Sequence, residues 1–208
     1  MNAKFFDLNK EKQDRMMNAA LKVFALHGYR HASTDDIVRE AGISKGLLFH
    51  YFGTKLGAYA FVYDYSVRFL ALELRACVKP QEKDLFELVK QVEQAKMQAM
   101  KGYPYMQQFL DRSMTEDVGE ALLAVEEKRN LLGEVYGKIY AQTDRTLLPP
   151  GADVGKLQKI LCFTVKGLLA ECFQEASFQP EMFYREAAEY LDLIKRMITV
   201  WQEDPAKP

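Results

Sequence analysis

Cysteine is scarce in this chain of 208 residues: Cys77, Cys162 and Cys172 are an odd count at wide spacing. That excludes a disulfide framework and a zinc ribbon, and reads as the reduced, mostly core thiols of a cytoplasmic protein. Long apolar runs are missing too. The longest stretches without Asp, Glu, Lys or Arg are nine residues, 46–54 and 102–110, against the roughly 18–20 that a membrane-spanning helix needs. The start carries Lys4, Asp7, Lys10, Glu11 and Lys12 around no apolar segment, so no secretory leader is expected. Histidine is absent after His50, which leaves most of the chain without a histidine base or a histidine-rich metal site. GxxxxGK(S/T), GxGxxG, HExxH and GxSxG are all absent. No enzyme, metal or cofactor is expected.

An excess of one charge is also lacking: 28 Lys+Arg stand against 29 Asp+Glu, a net charge of −1. The total hides a split. Residues 1–57 hold nine basic and six acidic side chains, net +3, and the remainder holds 19 and 23, net −4. A sign change of this kind points to two jobs in one chain. Hydrophobic residues make up 49% and aromatics 12%, enough for a sizeable core.

What is present is helix. Apolar residues recur at three and four, and no alternating run of strand length occurs. The expected fold is all-α, with nine helices. Asn9 caps the first, which buries Met16, Ala19, Ala20, Val23 and Phe24, with His27 at the margin, and stops at Gly28. Ser33 or Thr34 caps a short second helix with Asp35 and Asp36 in its first turn, where the helix dipole favours acids. It ends at Gly42. Ser44 caps a third, 45–52, ended by Gly53. Further helices are read at about 55–78, 82–100, 105–114, 117–145, 156–177 and 180–203, with 146–155 as the clearest loop.

The second and third helices, joined by Ala41-Gly42-Ile43-Ser44, have the layout of a helix-turn-helix. Leu48 and Phe52 share an inward face. A short helix with Lys45, His50 and Tyr51 outward, and the small Gly46 near its start, fits entry into a DNA major groove. The stretches AALKVFALHGY (19–29), STDDIVREAGISKG (33–46) and HYFGTK (50–55) carry a resemblance. Over about residues 15–57 the chain resembles the N-terminal domain of the TetR/AcrR family of bacterial transcriptional regulators. Beyond residue 57 only length, helical character and helix count are in the family's style.

The resemblance implies a homodimeric cytoplasmic regulator, a repressor released from a palindromic operator in double-stranded DNA by a small-molecule effector. It implies a helix-turn-helix domain at 1–54, with its motif at about 33–52, and a ligand-binding and dimerisation domain at 55–208. It puts Lys45, Gly46, Leu47 and Phe49 at bases or their flanking sugars, and Thr34, His50, Tyr51 and Lys55 at phosphates. Leu47 stands where many relatives have a hydroxyl residue, and Phe49 where many have Tyr. Methyl contacts to thymine, Lys45 to guanine and DNA shape are then expected to carry more of the readout.

After residue 57 the pattern itself gives less. The eighth helix is apolar nearly all round and the ninth has a broad stripe. Leu161, Leu168, Cys172, Tyr190, Ile194, Met197 and Trp201 are the expected faces of a two-fold, four-helix dimer contact. On the fifth helix Phe86, Glu93, Met97 and Met100 lie on one stripe; Phe109, Tyr136 and Phe163 are further candidates for a ligand pocket. Glu93 is there as a buried acid awaiting a cation or as a rim residue in water, with a mild lean to an apolar or lipophilic-cationic ligand. The alternative reading is a small-molecule-binding or enzymatic helical domain with a vestigial helix-turn-helix.

Overall fold

The structure is a computed structural model that describes residues 3–173 and 178–203, without the side chains of Ala3 and of residues 200–203. Among the described residues there are nine α-helices and no strand. They are α1 (Lys10–His31), α2 (Thr34–Ala41), α3 (Lys45–Phe52), α4 (Lys55–Cys77), α5 (Leu85–Gly102), α6 (Met106–Ser113), α7 (Gly119–Tyr140), α8 (Val154–Cys172) and α9 (Pro180–Glu203). Short 3₁₀ turns lie at Ala3–Asp7 and Arg145–Leu147. None of the described helices is long and apolar enough to cross a membrane.

The helix starts follow from side-chain caps. Asn9 accepts from the Lys12 amide at 2.9 Å, Ser33 from Asp35 at 3.1 Å, Ser44 from Leu47 at 3.2 Å and Asp153 from Lys156 at 3.0 Å. Each satisfies a donor that the first turn leaves open. Asp84 does the same for α5, accepting from Phe86 at 2.8 Å. That cap starts α5 at Leu85 rather than at 82. Asp144 takes the Thr146 amide and hydroxyl at 2.9 and 2.7 Å. It opens a new turn there, so α7 ends at Tyr140 and does not run to 145. At the end of α1, Gly28 departs from helical geometry, but one more turn follows to His31, closed by the Ala32 amide on the Gly28 carbonyl.

The chain packs as two compact units, Met1–Leu72 with Ala99–Val135, and Glu73–Gln98 with Tyr136–Pro208. These packing units cut the chain elsewhere than the expected 54/55 boundary. In the first unit α1 packs on both α2 and α6. Phe109 of α6 meets Phe24, Tyr59 and Tyr63 at ring-centroid distances of 6.1, 5.4 and 6.0 Å, mostly edge-on, the favoured aromatic geometry. Met16, Ala19, Ala20, Val23 and Phe24 are buried as expected, whereas His27 is exposed. In the second unit α8 packs on α9, burying Leu157, Leu161, Val165, Leu168, Phe183, Ala187 and Leu191. A charged seam joins α5 to α9: Lys90 meets Asp192 at 2.5 Å, and Lys195 meets Asp84 at 2.8 Å.

Candidate functional sites

The turn between α2 and α3 is built by Gly42. It sits at φ 61°, ψ 43°, a left-handed conformation that costs other residues a Cβ clash. The Ile43 amide reaches back to the Val38 carbonyl at 3.2 Å and closes the end of α2. Ile37 and Ala41 of α2, and Leu48 and Phe52 of α3, are buried. Phe5 inserts under α3, its ring 5.9 Å from Tyr51, 5.6 Å from Phe52 and 5.0 Å from Phe61 of α4. Sequence reasoning missed Phe5, since it precedes the first periodic segment and follows no helical spacing.

The start of α4 lies against the end of α3 without room for a side chain. A Cβ on Gly57 would sit 2.0 Å from the Phe52 carbonyl oxygen. Gly57 therefore sets how α3 is seated, and nothing in the pattern of the sequence marks it.

These contacts hold one face of α3 inside and leave another outside. Lys45, Gly46 and His50 are exposed, and Leu47, Phe49 and Tyr51 are half-buried. Thr34 is half-buried at the first position of α2, one residue after the cap, Ser33. Lys45 lies 2.8 Å from Asp35 of α2, an exposed ion pair. Such a pair contributes about 0–1 kcal/mol and is easily exchanged for another anion. Several other cations of the basic head are paired as well: Lys22 with Glu40, Arg39 with Asp36 and Arg30 with Asp117.

Lys55 behaves differently from its expected place at a phosphate. Its ammonium donates to the Arg30 carbonyl at 3.3 Å and lies 4.6 Å from the centroid of the Tyr29 ring. Burial lowers its pKa, against the pull of Glu120 and Glu116. Tyr29 in turn donates its amide to Glu116 at 2.8 Å and its hydroxyl to Glu120 at 2.6 Å. Lys55 thus closes a clasp on the end of α1.

The expected ligand residues do not form one group. Phe109 belongs to the aromatic core of the first unit. Phe163 is 68% exposed on α8 and points away from any interior. Phe86, Glu93 and Met97 are buried on α5 as their spacing requires. Glu93, 4% exposed, is no acid awaiting a cation, because Lys96 lies 2.8 Å away on the same helix. The Lys96 ammonium is also 5.9 Å from the Tyr136 ring, which stacks on Tyr140 at 6.5 Å and 16°. Burial drives the Tyr140 hydroxyl strongly upward in pKa, and Lys96 and Glu93 act on it in opposite directions.

The residues expected at a dimer contact divide as well. Leu161 and Leu168 are buried within the second unit, between α8 and its neighbours, so they face inward. Tyr190 and Met197 are exposed, and Cys172 and Ile194 are half-buried. The Trp201 side chain lies outside the described residues. The exposed large apolar side chains of α8 and α9 are instead Ile160, Phe163, Met182, Tyr190, Leu193 and Met197. Cys162 is exposed between Leu161 and Phe163, so it is no core thiol.

The architecture defines a helix-turn-helix protein with a helical second part. Residues 16–57 match the sequence profile of bacterial regulatory proteins, tetR family. This segment is similar to the DNA-binding segment of TetR-family regulators, and the described helices share their fold. A curated relative from Pseudomonas putida, the HTH-type transcriptional regulator TtgW, is 40% identical over 47 residues. That match takes in 23% of this chain and 35% of the relative. A TetR family regulator from Thermus thermophilus, PfmR, superposes with a TM-score of 0.61 at 19% identity, over 86% of this chain and 93% of that one. A TetR family regulator from Chloroflexus aurantiacus gives 0.58 at 20% identity, over 95% and 94%. Likeness at this level of identity carries the fold alone.

Proposed function

We propose that the protein is a DNA-binding transcriptional regulator, a repressor that leaves a palindromic operator when a small molecule occupies its second unit. The observation that carries this is α3. Its buried Leu48 and Phe52 fix its orientation, and its exposed Lys45 and Gly46 form a narrow N-terminal edge suited to a major groove, with His50 exposed in the last turn. Lys45 exchanges Asp35 for a guanine edge. Leu47 and Phe49 meet thymine methyls and sugars, and Thr34, His50 and Tyr51 meet phosphates. Lys55 is left out of this set, because it is committed to Tyr29 and the Arg30 carbonyl.

Two copies joined through Ile160, Phe163, Tyr190, Leu193 and Met197 read two half-sites one DNA turn apart, about 34–36 Å. Each phosphate neutralised by a cation adds about −0.9 to the log–log salt slope. Fluorescence anisotropy on DNA from upstream of its own gene tests the reading. Salt-dependent, sequence-preferring binding by the native protein is expected. Equal affinity for scrambled DNA would refute it.

A further inference from the structure

The segment ahead of α1 is tied down at several points. Its 3₁₀ turn, Ala3–Asp7, is closed by the Leu8 amide on the Phe5 carbonyl at 3.3 Å. Gln13 of α1 donates to the carbonyls of Phe6 and Leu8 at 3.1 and 2.7 Å. Phe6 lies against Phe61 of α4 and stacks on Tyr65 at 6.5 Å and 21°. The Tyr65 hydroxyl is 2.7 Å from that of Tyr103, which donates to Asp14 of α1 at 2.8 Å. So anchored, the segment carries the Phe5 ring to α3, where it is wholly buried against Tyr51 and Phe52.

Phe52 is buried, and Phe61 also meets it, at 5.1 Å. Tyr51 is placed differently. It is half-buried and borders an open cleft of about 460 Å³ between α3, α4 and α7, lined also by Phe61, Arg68 and Lys128. That space leaves its ring room to turn. Two edge-on contacts oppose the turn: Phe5 at 5.9 Å and 84°, and His50 at 5.0 Å and 79°, the favoured aromatic geometry. His50 is itself exposed, so the fixed side of this arrangement is Phe5. Resting on the regulator reading above, we propose that Phe5 is a positioning residue for DNA binding: it holds the Tyr51 ring so that the hydroxyl is already presented to a backbone phosphate before DNA arrives. The segment ahead of α1 then belongs to the DNA-reading head, although Phe5, being buried, touches no DNA. Freezing one such side chain on binding weakens affinity about two- to tenfold, and a ring fixed in advance escapes that loss.

The test is a double-mutant cycle on the full-length protein, read by fluorescence anisotropy on DNA from upstream of its own gene. Phe5→Leu removes the ring and keeps most of the volume. Tyr51→Phe removes only the hydroxyl. Phe5→Leu is expected to weaken binding about two- to tenfold when Tyr51 is present, and less than about twofold in the Tyr51→Phe background. The salt slope stays the same in both, since no cation is lost. A purely structural role for Phe5 would weaken binding equally in the two backgrounds. Phe5→Met repeats the cycle if Phe5→Leu melts below the assay temperature. The proposal is overturned by an additive cycle, or by unchanged affinity when Phe5 alone is replaced. Either result leaves the regulator reading standing, whereas equal affinity of the native protein for scrambled DNA sinks both.

Discussion

Tyr29 donates its hydroxyl to Glu120 at 2.6 Å, tying the last turn of α1 to the first turn of α7. The Lys55 ammonium covers the same ring at 4.6 Å. Because α1 leads directly into the helix-turn-helix, this bond fixes the approach of α2 and α3. Tyr29→Phe is expected to cost about 1 kcal/mol, the usual net worth of such a bond, read as a lower urea midpoint at unchanged slope.

The same bond carries a pH dependence. Burial first, and then Glu120, push the Tyr29 hydroxyl up from 10.0 to about 12. The folded state therefore holds its proton more tightly than the unfolded chain. That stability is complete below pH 10 and is lost as pH rises toward 12. Tyr29→Phe should shallow the alkaline fall of the urea midpoint in this window, and an unchanged fall would place the titration elsewhere.

Gly57→Ala should be damaging out of proportion to one methyl group. The new Cβ would stand 2.0 Å from the Phe52 carbonyl, so either α3 or α4 must shift. Strain of this kind costs about 1–3 kcal/mol. Operator affinity should fall more than the melting temperature suggests, because the displaced helix is the one proposed to read DNA. Gly46→Ala, with nothing within 4 Å of its added Cβ, is the control for stability.

At the DNA face two substitutions should act in opposite directions. Lys45→Ala with Tyr51→Ala removes a base contact worth about 1–3 kcal/mol and a phosphate contact, and is expected to weaken operator binding about a hundredfold. Sedimentation should find the oligomeric state unchanged. Asp35→Asn releases Lys45 from its 2.8 Å partner, and should tighten binding a few-fold and steepen the salt dependence. A loss of affinity in Asp35→Asn would mean that the pair aligns Lys45 rather than competing for it.

Phe163→Glu and Met197→Glu place charge on the exposed apolar face of α8 and α9, where the native side chains are 68% and 61% exposed. Neither should alter the melting of an isolated subunit much. Both should convert a dimer to a monomer in sedimentation equilibrium, since an isologous contact sees each change twice. A native protein that is monomeric at micromolar concentration would remove this proposal.

Local rules make α2 and α3 legible in the sequence alone. Caps at Ser33 and Ser44, the left-handed Gly42 and the pair Leu48/Phe52 are short-range features, and each is where its spacing puts it. What is not legible depends on residues distant in sequence. Phe5 under α3 and the Lys55–Tyr29 clasp are such contacts, and the Gly57–Phe52 approach depends on the angle between two helices. Helical periodicity also gives the wrong face for part of α8. A helix apolar all round carries no phase, so Leu161 and Leu168, expected outward, lie inside, and Phe163, expected inside, lies in water. Glu93 is buried as its stripe implies, but its neutralisation by Lys96 depends on a lysine bending into the core, which spacing alone does not reveal.

The aromatic junction of Phe24, Tyr59 and Phe109 bears on how a helix-turn-helix head of this kind can be recombined. Grafting the head of this chain onto another sensor at residue 54 would leave behind two of those three rings, and with them α6, which covers α1. Phe24 would then meet water or a stranger's surface. A workable hybrid must carry 99–135 along with 1–72. The transplantable part is therefore discontinuous in sequence, and chimeras designed by cutting once should aggregate rather than switch.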